Sequence, residues 1–236
     1  MRSNSKVGVP IVLGVIALCL TCVCMALVLL YFFGDALVGE TGISLPAGPL
    51  VPEFSLPQDL SNLPEWTILV YADADDDVLE QDIWFDVNEM ELVGSTPQMN
   101  IVVQLDRAEG SFDGDGNWTE TRRLYVTNDS DLTTITSPIV ENIGEVDMGN
   151  PQTLVDFLSW GIQKYPAKKY AVILSDHGAG WTIGWTDQAS NSGMKMSQIT
   201  EAIRQVQSNM GDRKFEVIGF DACLMAMVEV YGQIYP

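Results

Sequence analysis

Four short apolar runs set the terms on which this chain can fold: Trp66 to Ala72 (WTILVYA), Asn100 to Asp106 (NIVVQLD), Tyr170 to Ser175 (YAVILS) and Phe215 to Phe220 (FEVIGF). Each is rich in β-branched and aromatic residues and carries apolar side chains at successive positions, as a strand covered on both faces must. Helical periodicity fills the intervals. One segment runs from about Asp77 to Val93. A second, Thr153 to Lys164, is introduced by Asn150 as a cap and Pro151 at the first helical position. A third opens at Ser197 and stops near Gly211, and a last helix is expected from about Cys223. After the second run comes an arm with Asp113 to Asn117 (DGDGN) at its tip and Trp118 to Val126 returning, the pattern of a β-hairpin. Strands alternating with helices predict βαβ units and an α/β fold, a three-layer sandwich around a mostly parallel sheet. In such sheets ligands bind at the carboxyl ends of the strands.

The N-terminal part belongs to no soluble core. Val7 to Phe33 is uncharged throughout and, at about 1.5 Å per helical residue, long enough to cross a hydrocarbon layer roughly 30 Å thick. A signal peptide would have an apolar region of only about 7–15 residues ending in a small-residue cleavage site, which nothing near Phe33 resembles. Arg2 and Lys6 precede the run and Asp35 and Glu40 follow it, so the positive-inside rule places the N-terminus in the cytoplasm. The expected organisation is a cytoplasmic tip (1–6), a transmembrane helix (7–33), a Pro/Gly-rich stalk (34–63) and a globular domain (64–236). The chain would thus be a single-pass cell-membrane protein with its domain on the extracytoplasmic side.

That domain, at roughly 170 residues, can build a full core without disulfides or a structural metal. Cys19, Cys22 and Cys24 lie in the apolar run, leaving Cys223 as the one thiol outside it. A net charge of −20 argues against nucleic acid as a partner, because binding to phosphates needs clustered Lys and Arg. The acidity reads first as a source of solubility, and otherwise as a means of drawing in basic ligands.

The third strand runs directly into Asp176-His177-Gly178-Ala179-Gly180 and the fourth into Asp221-Ala222-Cys223. If the two are parallel neighbours, His177 and Cys223 arrive at one edge of the sheet. A thiol needs a base or a helix N-terminus to become an effective nucleophile, and this placement offers both. Taken singly, a histidine after a strand reads as a hydrogen-bonding residue and a cysteine as a small buried one. The joint placement of the chain's single histidine with the one thiol outside the apolar run favours chemistry. A phosphatase loop would need an arginine soon after the cysteine, and Leu224 to Pro236 contains none; a zinc hydrolase would normally draw on several imidazoles.

Trp66 to Tyr71 (WTILVY), Trp118 to Arg123 (WTETRR), Ser175-Asp176-His177-Gly178 with Gly180-Trp181, and Phe220 to Met225 (FDACLM) together resemble the clostripain family, peptidase family C11. The resemblance implies a caspase-like fold and a cysteine endopeptidase working through a His177–Cys223 dyad and an acyl-enzyme. The backbone amides of Gly178 and Cys223 would form the oxyanion hole. It also implies cleavage of peptide or protein substrates after Arg or Lys, with Asp221, two residues before the nucleophile, in the specificity pocket. Asp221 reads equally well as a cap for a helix starting at Cys223.

No cofactor is needed for this chemistry, although some family members are helped by calcium. Two acidic clusters are candidate ligands: Asp73, Asp75, Asp76 and Asp77, and Asp113 with Asp115. Neither fits an EF-hand loop, and the second reads better as turn chemistry. Trp181 and Trp185 are expected either in the cleft wall or in the core. Family members continue with further strands beyond the nucleophile, so a chain stopping at Pro236 is expected to be incomplete. Two other readings share the scaffold: a non-catalytic, membrane-tethered binding or adhesion domain, and a thiol amidohydrolase with a non-peptide substrate.

Overall fold

The structure, a computed structural model, describes residues 54–211 and 213–234. The expected membrane span and most of the stalk lie outside them. Among the described residues no helix is long and apolar enough to cross a membrane.

A six-stranded sheet forms the centre, in the order β4 (Ile139–Gly144), β3 (Thr121–Tyr125), β2 (Met99–Arg107), β1 (Trp66–Ala74), β5 (Lys169–Ser175) and β8 (Val217–Asp221). Strands β1, β2 and β5 contain the first three apolar runs, β8 overlaps the fourth but starts after Phe215 and Glu216, and the four are mutually parallel. Strands β3 and β4 extend the sheet antiparallel beyond β2, so the anticipated hairpin is present as β2–β3. β1, β2 and β5 are apolar on both sides because both of their faces are covered, whereas β8, at the edge of the sheet, is partly exposed along its length. Leu69, Tyr71, Val102, Val172 and Leu174 face a core shared with helices α2 (Pro151–Lys164), α3 (Met196–Asn209) and α4 (Val228–Ile234). Val70, Ala72, Val103 and Leu105 face a second core against helix α1 (Glu80–Met90). The three-layer α/β expectation therefore holds. Asn150 caps α2 as the sequence suggests, its side chain accepting from Gln152 N at 3.0 Å.

Two short strands, β6 (Ile183–Asp187) and β7 (Ser192–Lys195), form a separate hairpin after His177. The other departure bears on the site. The last helix does not begin at Cys223 but at Val228. Cys223 lies in a turn, and Leu224 after it has φ +59°, a left-handed conformation that an α-helix of L-residues cannot continue through. Cys223 accordingly has no helix N-terminus to activate it, and Asp221 has no helix there to cap.

On the α1 side a buried ion pair anchors the arm. Arg107 Nε donates to Glu80 Oε1 at 2.8 Å, the two side chains being 0% and 1% exposed. Glu80 Oε2 accepts from Phe112 N at 2.7 Å, while Arg107 Nη2 donates to Phe112 O at 2.8 Å and its guanidinium sits 4.8 Å from the Trp118 ring centroid. At the arm's tip Asp115 and Asn117 have φ of +51° and +49°, and Asp115 Oδ2 accepts from Trp84 Nε1 at 3.1 Å. Asp115 therefore serves the turn and its packing, as its sequence context suggests.

Candidate active site

Register brings the two motifs together. Strands β5 and β8 are neighbours with Ser175 opposite Asp221, and Asp176 N donates to Asp221 O at 3.3 Å just beyond the paired region. The chain leaves both strands on the same edge, where His177, Ala222 and Cys223 line a cleft of about 410 Å³ together with Leu79, Asp82, Ile83 and Asp86 of α1 and its approach. Cys223 is an exposed free thiol. The two loops touch through backbone: a Cβ on Gly178 would collide with the carbonyl oxygen of Cys223 and crowd Met225 and Ala222. Only a residue without a side chain lets them approach so closely. Gly178→Ala is therefore expected to push the loops apart and lower kcat/KM on the order of 100-fold, since a displacement of about 1 Å at reacting groups costs that much. Steady-state kinetics beside an unchanged far-UV spectrum would check this.

His177 is held from both sides. Its Nε2 lies 3.2 Å from Asp76 Oδ1, the histidine side chain being 41% exposed. Asp76 sits at the junction of β1 and α1, where the same Oδ1 accepts from Val78 N at 2.7 Å and Leu79 N at 2.9 Å. With Nε2 directed at Asp76, Nδ1 is the nitrogen left to exchange a proton. Asp176, 3% exposed, fixes the backbone instead: it accepts from His177 N through Oδ1 and from Thr186 N through Oδ2 at 2.5 Å. Burial pushes the Asp176 carboxyl up to about 7, partly offset by those backbone donors. The β6–β7 hairpin is tied in through Trp185 N, which donates to His177 O at 3.4 Å, and Ala179 N, which donates to Ile183 O at 3.0 Å. These bonds pass on either side of Gly178, whose own amide takes no part in them. Trp185 is fully buried against Phe220, whereas Trp181 is 53% exposed, so only Trp181 is available to a ligand.

Asp221 points to the α1 side, where its Oδ2 accepts from Ser175 Oγ at 2.9 Å. Across the cleft stands Asp86. Partial burial, and then the negative charge of Asp221, raise the Asp86 carboxyl above its ordinary range. Asp82 lines the same wall, and no lysine or arginine does. The sequence reading picked out Asp221 but missed Asp86 and gave Asp76 only as a metal candidate. Both partners act across the fold, through contacts that no local motif records.

The first acidic cluster divides. Asp77 is exposed and accepts from Ser111 Oγ at 2.7 Å, and Asp76 serves His177 and the helix entrance. Asp73 and Asp75, two residues apart on β1 and its extension, face the other side of the sheet with Asp106. Asp75 there comes together with Glu145 and Asp187, one oxygen of each lying within 4.8 Å of the others. That carboxylate set fits an oxygen-seeking cation; the Asp113–Asp115 tip does not, since Asp115 is engaged by indole donors.

A thiol and an imidazole at adjacent parallel strand ends, with an acidic wall beside them, define the kind of site that thiol hydrolases use. The comparisons agree. The profile of the clostripain family, Peptidase_C11, matches residues 70–236, and the chain belongs to that family. Clostripain of Hathewaya histolytica is 26% identical over 195 residues, covering 72% of this chain and 36% of clostripain. Two solved structures share the fold. A secreted C11 cysteine protease from Bacteroides thetaiotaomicron bound to an irreversible peptide inhibitor has a TM-score of 0.55 at 20% identity, covering 72% of this chain and 46% of that one. An inactive zymogen C11 protease from Parabacteroides distasonis has 0.52 at 20% identity, covering 73% and 46%. The chain thus spans about a third to a half of the length of these relatives.

Proposed function

We propose that the chain carries the catalytic centre of a membrane-anchored cysteine endopeptidase that cleaves after Arg or Lys, facing the extracytoplasmic side. Cys223 gives its thiol proton to His177 Nδ1, and Sγ attacks the scissile carbonyl carbon. The carbonyl oxygen, now an oxyanion, rests against the amides of Gly178 and Cys223, donors typically worth about 3 kcal/mol each. His177, oriented by Asp76, protonates the leaving amine through Nδ1 as the C–N bond breaks. Water then hydrolyses the thioester, with His177 as base. No cofactor enters these steps.

The preference for a basic side chain rests on the paired carboxylates of Asp221 and Asp86. Two acids facing each other without a cation are mutually repulsive, and the guanidinium or ammonium of a substrate relieves both. The test uses the full-length protein and fluorogenic peptides with Arg, Lys, Ala or Asp before the scissile bond. Wild type is expected to favour Arg and Lys, and Asp221→Asn to cut kcat/KM for those two on the order of 100-fold, as loss of one partner of a desolvated charge pair does, while leaving Ala peptides nearly unaffected. Equal loss on all four peptides would remove Asp221 from the specificity pocket. No cleavage by the folded protein, with Cys223 inert to thiol reagents, would leave the tethered binding domain as the better reading.

A further inference from the structure

Next to the dyad, but outside the acid-walled cleft, the chain leaves apolar side chains in solvent. His177 leads into a tight turn, in which Ala179 N donates to Ile183 O at 3.0 Å and Thr182 Oγ1 donates to Ala179 O at 2.9 Å. Trp181 sits at the tip of that turn and Ile183 at its base, both exposed. The segment after the nucleophile meets the same turn. A Cβ on Gly180 would lie 2.8 Å from Met227 Sδ and 3.6 Å from Leu224 O, so glycine lets the two close on each other. Leu224 and Met227 are themselves exposed. This patch and the acidic wall lie on different faces of the sheet: Trp185 and Met225 belong to the core that α2 and α3 cover, and Ile83 of α1 to the other.

Leu224 is the informative member. It is 69% exposed and directly follows Cys223, with the left-handed backbone that strains any residue carrying a Cβ. A turn that needed only that backbone is better served by Gly or Asn. Neither burial nor backbone geometry accounts for a leucine there. An apolar side chain held out at strain beside a nucleophile faces a ligand, and the ligand that must reach this place is the chain being cut.

On the peptidase reading, on which this inference rests, the residue before the scissile bond sends its side chain to Asp86 and Asp221 on the α1 side. The amine leaves toward His177, which protonates it, so the residue after the bond lies over the turn that His177 opens. We propose that Trp181, Ile183, Leu224 and Met227 form a subsite for an apolar side chain on the residue immediately after the scissile bond. The favoured sequence is then a basic residue followed by an apolar one. Trp181 offers a flat apolar face and Met227 a deformable one, so the subsite ranks side chains by apolar area rather than by one shape.

The test uses the full-length protein and internally quenched peptides with Arg before the bond and Leu, Phe, Ser, Gly or Asp after it. Wild type is expected to prefer Leu and Phe over Gly in kcat/KM on the order of tenfold, the scale on which apolar contacts discriminate, with Asp the poorest. Trp181→Ala and Leu224→Asn should each bring the Leu-to-Gly ratio close to one and leave the Gly peptide nearly unaffected. Asn tolerates the left-handed backbone, so Leu224→Asn carries the test if Trp181→Ala disturbs the turn. Cleavage by wild type with no preference after the bond, or equal slowing of all five peptides in both variants, would overturn the subsite alone and leave the patch as a packing face for another segment or copy. No cleavage of any peptide by the folded protein would bring down the peptidase reading and the subsite with it.

Discussion

Cys223→Ala and His177→Ala are each expected to lower hydrolysis of an Arg peptide on the order of 10⁴- to 10⁶-fold, the range seen when members of a nucleophile–base unit are removed. The losses should not add, because each removes the same step. The two variants separate in their thiols: His177→Ala keeps an exposed Cys223 that alkylating reagents still label, and Cys223→Ala has none outside the N-terminal apolar run. Asp76→Asn should fall between them and wild type, because the imidazole loses the carboxylate that fixes its tautomer. In the proposed mechanism Asp76 acts through His177, so its signature is a fall in kcat with KM nearly unchanged and an unaltered far-UV spectrum. A variant that merely unfolded would lose the spectrum along with the activity. Full activity in Cys223→Ala would end the thiol mechanism.

The largest expected effect on stability lies away from the chemistry. Arg107→Ala leaves Glu80 buried without its partner, and breaking such a pair costs about 3–5 kcal/mol. For a domain of this size that corresponds to a Tm lower by roughly 6–20 °C. The arm at Phe112 and Gly114 should loosen too, since it hangs on the same guanidinium. Replacing both partners together, Glu80→Leu with Arg107→Met, should recover most of the loss, because no charge is left stranded. Denaturant unfolding of the single and double variants measures this. A single variant as stable as wild type would mean that the pair is held by something other than each other.

The parallel core was legible because doubly covered strands must be apolar at successive positions, and β1, β2 and β5 are; β8 carries a similar run although it is only partly covered. β4 was not. Its residues IVENIG are half exposed, and an edge strand with one wet face carries little apolar signal. The β6–β7 hairpin has strands of only five and four residues, interrupted by Gly184 and Gly193, so neither gives a sustained apolar alternation. The false helix start at Cys223 has a local cause, the left-handed Leu224, which composition does not announce. Within the site, His177 and Cys223 could be found because each follows a strand directly. The separation of Asp73 and Asp75 from Asp76 was latent in the period of two along a strand. The roles of Asp76 and Asp86 depend on where α1 lands, which only the folded chain fixes.

The shared oxygen of Asp76 has a consequence of its own. It receives the His177 ring and also the first amides of the turn that leads into α1, the helix that brings Asp82 and Asp86 to the cleft. On the proposed mechanism, a cationic side chain bound against that helix would sit on the element anchored by the same atom that orients the imidazole. Substrate recognition and placement of the base would then share one fixed point.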